Sequence, residues 1–169
     1  MLDSLSILGW EYLFIVIAGI VLICLITQSR AERRRILLFG SLTLPVAYVV
    51  GKLCGYLYDD PRPFVAEHFS PLIPHGADTG FPSDHVLLCA SIAAIVYPSN
   101  RWLSLSLWAV TLLVGASRVR AGIHHPIDII GSISIAIVVA WLIYRAISPS
   151  LLQSTWFGGK PPEQKKRTL

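Results

Sequence analysis

Apolar and polar positions alternate in long blocks along this chain. Five apolar segments stand out, near Leu13–Thr27, Ile36–Tyr58, His85–Tyr97, Trp102–Ser117 and Ile127–Ile147. Blocks of this kind, with few charges inside them, predict helices that are buried or cross a bilayer rather than half-exposed strands. At 1.5 Å per residue, a hydrocarbon core of about 30 Å takes about 20 residues to cross, which the second and fifth segments supply. The third is short, and is expected to end below the headgroups in a polar cavity lined by protein. The stretch Leu2–Trp10 is too short to span, and no internal repeat is visible. The expected architecture is therefore an all-α transmembrane bundle of about five spans over residues 1–147. A flexible tail rich in Pro, Gly, Gln and Lys follows over residues 148–169.

Composition agrees with this picture. Of the 169 residues, 54% are hydrophobic and only 14% charged, and mean hydropathy is +0.62. The net charge of +4 does not indicate nucleic acid, because the basic residues sit at the ends of apolar segments rather than in a stripe on a polar domain. Cys24, Cys54 and Cys89 lie inside apolar runs with neither disulfide nor metal spacing. Asp3 stands where a signal peptide would carry basic residues, so the first segment is expected to be retained.

Arg30, Arg33, Arg34 and Arg35 form a strongly basic connection, which places it in the cytoplasm. Alternation then puts the N-terminus outside, together with the Asp59–Asp84 and Arg118–Pro126 connections. Arg101 falls inside with the tail and its Lys160, Lys165, Lys166 and Arg167. The outer side keeps four basic residues, Lys52, Arg62, Arg118 and Arg120, and all five histidines, His68, His75, His85, His124 and His125. An ionisable residue at the depth of Lys52 faces a cavity or partner, or else snorkels to the interface.

Three stretches gather at that level: Lys52 with Asp59-Asp60-Pro61-Arg62-Pro63-Phe64, then Phe81-Pro82-Ser83-Asp84-His85, then Ser117-Arg118 with His124 and Asp128. Arginine presents a planar fork to phosphate oxygens and lysine adds a mobile charge. Ser83 sits at a helix start, whose free N–H groups and positive dipole end suit an anion. Lys52, Arg62, Ser83 and Arg118 can thus enclose one phosphoryl group. Pro126 suits the first position of the last helix, so Asp128 falls in its first turn and can accept a ring N–H from His124. The other nitrogen of His124 is then free to attack phosphorus, and His85 can serve as acid and base. His68 and His75 read as loop residues, His125 as either a helix cap or a site residue, and Arg120 as either a contact to a second phosphate or an interfacial arginine. The spacing of Asp84, His85, His124, His125 and Asp128 matches no zinc motif and the nearby cations would repel a metal, so no metal or other cofactor is expected.

These residues resemble the type-2 phosphatidic acid phosphatase superfamily, which includes the vanadium haloperoxidases. Ser117, Arg118, His124 and Asp128 fit its Ser-Arg…His…Asp signature, and Pro82, Ser83 and His85 fit its Pro-Ser-Gly-His signature. The resemblance implies His124 as nucleophile, His85 as acid and base, Asp128 as orienter, and phosphate contacts from Lys52, Arg62, Ser83 and Arg118. It also implies a helical bundle with its site at the extracytoplasmic boundary, usually with a sixth helix. Nine residues separate Lys52 from Arg62, more than is usual in the family, and Asp84 replaces its glycine within the substrate-binding set. Phe81-Pro82-Ser83-Asp84-His85, Pro61-Arg62-Pro63-Phe64-Val65-Ala66 and Leu72-Ile73-Pro74-His75-Gly76-Ala77-Asp78 are similar to the bacitracin-resistance type of undecaprenyl-diphosphate phosphatase. That subgroup implies a metal-independent hydrolase of the cell membrane. It would cleave undecaprenyl diphosphate through a phosphohistidine and so recycle the carrier lipid of cell-wall synthesis. The expected partners are the lipid substrate and the bilayer, without nucleic acid; the sequence leaves the oligomeric state open. The rival substrates are phosphatidylglycerophosphate and phosphatidic acid. A transporter is disfavoured because the charges gather at one face and no repeat is seen.

Overall fold

In the computed structural model of the chain, residues 13–72 and 74–147 are described. The elements among them are helices, in the order α1 (Leu13–Thr27), α2 (Arg30–Leu57), α3 (Pro63–Ala66), α4 (Asp84–Val96), α5 (Arg101–Arg120) and α6 (Pro126–Ala146). The Leu2–Trp10 stretch and the tail after Ile147 lie outside the described residues.

The five expected segments are all helical; the first keeps its bounds, Leu13–Thr27, and the other four have shifted ends. The largest shift is in α2, which starts at Arg30, so the arginines expected in a loop form its first turns. Ser29 is the reason: its Oγ accepts the Glu32 N–H at 3.3 Å and donates to the Glu32 carboxylate at 3.2 Å. That arrangement satisfies free N–H groups and places an acid at the positive end of the helix, and arginine itself favours helix. At the start of α5, Asn100 accepts the Leu103 N–H at 3.0 Å. α5 also runs on to Arg120 rather than ending at Ser117, which carries Arg118 on helix.

α4 is the hub. Its 13 residues rise only about 20 Å, and it is buried on nearly every side among α2, α5 and α6. Val86, Cys89, Ala93 and Val96 pack against Leu107 and Val114 of α5. Leu87 and Ala90 pack against Ala47 of α2 and Ala136 and Val139 of α6. An apolar helix enclosed by others needs no polar face. Ser104 Oγ donates to the Ala93 carbonyl at 2.7 Å and ties α5 to α4. α5 and α6 scarcely touch each other.

The outer surfaces are the opposite of those of a water-soluble bundle. Leu37, Leu38, Leu42, Val49 and Leu53 of α2 are exposed, as are Leu105, Leu112 and Leu113 of α5 and Ile130, Ile137, Val138 and Leu142 of α6. Apolar belts of this extent suit lipid as the surrounding solvent. α2, α5 and α6 are long and apolar enough to cross a membrane. α4 is not, and its N-terminus ends at the floor of a polar cavity, as its short length requires. Ion-pairing residues and histidines gather on the connections at that end of the bundle.

Candidate active site

Four helix ends surround this cavity. The last turns of α2 bring Lys52, the start of α4 brings Asp84 and His85, and the turn from α5 into α6 brings His124. The long connection after α2 brings Arg62, His75 and Asp78. The volume is about 560 Å³, enough for a phosphorylated head group.

Close backbone approach makes the cavity possible. A β-carbon at Gly55 would lie 2.5 Å from the Phe81 carbonyl oxygen, so only glycine lets the Phe81–Pro82 turn lie against α2. That contact brings α4 beside the end of α2, where Lys52 Nζ meets both carboxylate oxygens of Asp84 at 3.0 and 3.2 Å. Gly122, in the turn ahead of His124, has φ +74°, where side chains are rare. A β-carbon there would also lie 2.6 Å from the Phe69 ring.

His124 is 4% exposed and held at both nitrogens. Nδ1 lies 3.2 Å from Asp128 Oδ2, and Nε2 lies 3.3 Å from Arg62 Nη1. One tautomer satisfies both contacts: Nδ1–H donates to the carboxylate, and Nε2 keeps its lone pair toward the guanidinium. The same Asp128 oxygen accepts the His125 backbone N–H at 2.8 Å, which fixes the carboxylate at the first turn of α6. Asp128 is fully buried, so its orientation is set by these partners rather than by water.

Arg62 is itself fixed. Its Nη1 donates to the Ile123 carbonyl at 2.9 Å, and its Nε donates to Asp78 Oδ1 at 3.0 Å. The Arg62 hydrogen bond holds the Asp78 carboxyl below the usual carboxylate range. His75 shows the opposite effect of the same cation. Burial first, then the charge of Arg62, lowers its pKa below the ordinary histidine value.

Of the residues expected from sequence, Lys52, Arg62, Asp84, His85 and His124 line the cavity, whereas Ser83, Arg118 and Asp128 are buried behind it. Ser83 stands at the N-cap position of α4 without a side-chain capping bond, and its carbonyl accepts Ser132 Oγ from α6 at 3.0 Å. Arg120 is exposed and lines no part of the cavity. Asp84, expected on the substrate, pairs with Lys52. Sequence reasoning missed three residues: His75 was read as a loop residue, and Asp60 and Asp78 were given no role. A signal for His75 and Asp78 was present, since both lie in the Leu72–Asp78 stretch that is similar to the subgroup. His125 stands at the N-cap of α6, and its ring contacts Asp60, with Nδ1 2.9 Å from Oδ2.

Among the described residues, one group has metal-ligand spacing. Asp60, His125 and Asp128 each bring a ligand atom within 4.8 Å of the others. His125 bonds both carboxylates, through its ring and its backbone, and the Arg62 guanidinium stands beside the same helix start. A ring nitrogen engaged in this way and an adjacent cation suit a hydrogen-bonded network better than a metal.

Comparisons with known proteins bear on the same residues. Residues 10–151 match the model of the PAP2 superfamily. The chain is 34% identical over 144 residues to "Undecaprenyl-diphosphatase BcrC" of Bacillus subtilis (strain 168), covering 85% of this chain and 74% of that protein. It is 28% identical over 138 residues to "Bacitracin transport permease protein BcrC" of Bacillus licheniformis, covering 79% of this chain and 66% of that one. The crystal structure of Aquifex aeolicus LpxE superposes with a TM-score of 0.67 at 22% identity, covering 85% of this chain and 86% of that chain; that likeness concerns the fold. A family match running from before α1 to beyond α6 takes in every helix that builds the cavity, and the chain belongs to the PAP2 superfamily.

Proposed function

We propose that this chain is a membrane phosphatase that hydrolyses undecaprenyl diphosphate to undecaprenyl phosphate and inorganic phosphate, with His124 as the nucleophile. The observation that carries the reading is His124 at the cavity wall, its Nδ1 against Asp128 and its Nε2 beside Arg62. A nucleophile needs an unprotonated nitrogen at the cavity wall, a partner that takes up the positive charge as it forms, and a cation beside the phosphoryl oxygens. These three groups supply them.

In the first step Nε2 attacks the terminal phosphorus. The N–P bond forms as the P–O bond to the bridging oxygen breaks, and His85 gives that oxygen a proton as undecaprenyl phosphate leaves. The imidazolium charge on His124 is balanced by Asp128. In the second step His85 takes a proton from water, the water oxygen bonds to phosphorus, the N–P bond breaks and inorganic phosphate departs. Lys52, Arg62 and the N-terminus of α4, which Ser83 opens, supply the charge and N–H groups that hold the phosphoryl oxygens, and Arg118, buried behind the cavity wall, adds positive charge. Asp84 keeps the Lys52 ammonium at the cavity rim.

The undecaprenyl substrate is supported by the subgroup stretches and by the relatives named undecaprenyl-diphosphatase. The apolar exteriors of α2, α5 and α6 let a prenyl chain remain in lipid while its head enters the cavity. The cavity is read as facing outward, because Arg30, Arg33, Arg34 and Arg35 mark the opposite end of α2 as cytoplasmic.

The test is phosphate release by the purified protein in detergent with EDTA present, from undecaprenyl diphosphate and from phosphatidylglycerophosphate in parallel. The expected result is faster turnover of the diphosphate, unaffected by EDTA and abolished in His124→Ala. Preference for the glycerophospholipid would overturn the substrate, and activity surviving the substitution would overturn the nucleophile.

A further inference from the structure

Two polar residues at this end of the bundle, Asp60 and His125, have no part in the reaction just described. Asp60 and His125 lie 65 residues apart in sequence and meet at 2.9 Å, Oδ2 to Nδ1. Asp60 is two residues before Arg62, and His125 directly follows His124. A second aspartate–histidine pair therefore stands beside the first, joining the connection that carries the arginine to the helix start that carries the nucleophile.

The pair is embedded on both sides. The Asp60 carbonyl accepts the Gly80 N–H at 2.7 Å, and its own N–H donates to Thr79 Oγ1 at 3.4 Å. A β-carbon at Gly80 would lie 3.0 Å from Asp128 Oδ2 and 3.3 Å from the Asp60 carbonyl, so the two acidic residues pack closely around this glycine. The backbone N–H of His125 donates to Asp128 Oδ2, the oxygen that also holds His124 Nδ1. A displacement of the His125 ring would thus be felt at the carboxylate that orients the nucleophile, and a displacement of Asp60 would be felt at Arg62.

We propose that Asp60 and His125 act together as positioning residues. Their bond sets the separation between Arg62 and His124, so that guanidinium and Nε2 meet the same phosphoryl group. The contact they govern is the 3.3 Å approach of Arg62 Nη1 to His124 Nε2. Other bonds anchor the connection independently: Phe64 N–H to the Gly122 carbonyl at 3.2 Å, Leu72 N–H to the Ala121 carbonyl at 3.1 Å, and Arg62 to the Ile123 carbonyl. Loss of the Asp60–His125 bond therefore leaves the connection in place and loosens its alignment. A shift of about 1 Å in a reacting group costs on the order of 100-fold in rate.

The proposal rests on the reading of His124 as nucleophile, which the His124→Ala control tests separately. The variants are Asp60→Ala, His125→Phe, their double variant, and His125→Asn, whose amide can donate from near the Nδ1 position. Turnover is measured on whichever lipid phosphate the wild type hydrolyses fastest, alongside the affinity for orthovanadate, which adopts the five-coordinate geometry of the transition state. The expected result is a fall in kcat of about 10- to 100-fold for each single variant, with KM and melting temperature little changed. Orthovanadate affinity should fall in step with kcat. The double variant should be no worse than either single one, because both remove the same bond, and His125→Asn should recover most of the activity. Unchanged kcat and vanadate affinity, or losses that multiply in the double variant, would overturn it. So would activity that falls only in step with thermal stability without recovery by asparagine.

Discussion

Each nitrogen of His124 has one partner of the right kind, and in the proposed reaction that division of labour sets the chemistry. Asp128 stabilises the imidazolium that forms on attack, and a neutral amide in its place would favour the wrong tautomer. Asp128→Asn is expected to lower kcat by on the order of 10⁴-fold with little effect on KM, read by steady-state phosphate release. Equal loss in kcat and in folded protein would count against it. His75 offers a test that needs no substrate. Its pKa is lowered, by burial first and by Arg62 second, so the ring stays neutral in the folded protein at pH values where a free histidine is half charged. Because the native value lies below the unfolded one, the fold loses stability as pH falls from about 6.5 toward that lower value, and regains it above. The His75 titration followed by NMR in detergent should have its midpoint below 6.5, and Arg62→Ala should move it upward. A midpoint unmoved by that substitution would remove Arg62 from the neighbourhood of His75.

The elements place these residues, and their placement was unevenly legible in the sequence. Apolar runs located the helical segments because burial and lipid exposure both demand continuous apolar surface. Pro126 and the short gap to Asp128 showed the His124–Asp128 pair, because both residues sit on one helix start. The start of α2 was missed because a basic cluster reads as a loop, and only the Ser29–Glu32 cap reveals that it is helical. Asp60 and Asp78 were missed for a different reason. Their partners His125 and Arg62 lie 65 and 16 residues away, and no local pattern announces a contact made by the fold. The turn between α5 and α6 carries its own prediction. Gly122→Ala would force a side chain into a left-handed conformation and against Phe69, at a cost of about 1–3 kcal/mol. A lowered melting temperature together with lowered activity is expected, since His124 follows two residues later. A variant as stable and active as wild type would show that the turn relaxes freely.

At the scale of the whole molecule, a buried short helix supports a polar cavity at one end of a lipid-facing bundle, while the opposite end carries Arg30, Arg33, Arg34, Arg35 and Arg101. The proposed orientation, with the arginine-rich end in the cytoplasm, rests on that asymmetry. Single cysteines introduced into a cysteine-free background should react with a membrane-impermeant maleimide at Thr79 and remain protected at Ser99 in intact cells; the reverse pattern would invert the topology. The central claim is the covalent intermediate on His124. It is tested most directly by mixing the enzyme with undecaprenyl diphosphate labelled with ³²P in the terminal phosphate, quenching rapidly and mapping the label. The expected result is an acid-labile, base-stable phosphoryl group on His124, longer-lived once formed in His85→Ala, where hydrolysis of the intermediate is slowed, and absent in His124→Ala. Full turnover with no label retained by either the wild type or His85→Ala, or label on another residue, would contradict it.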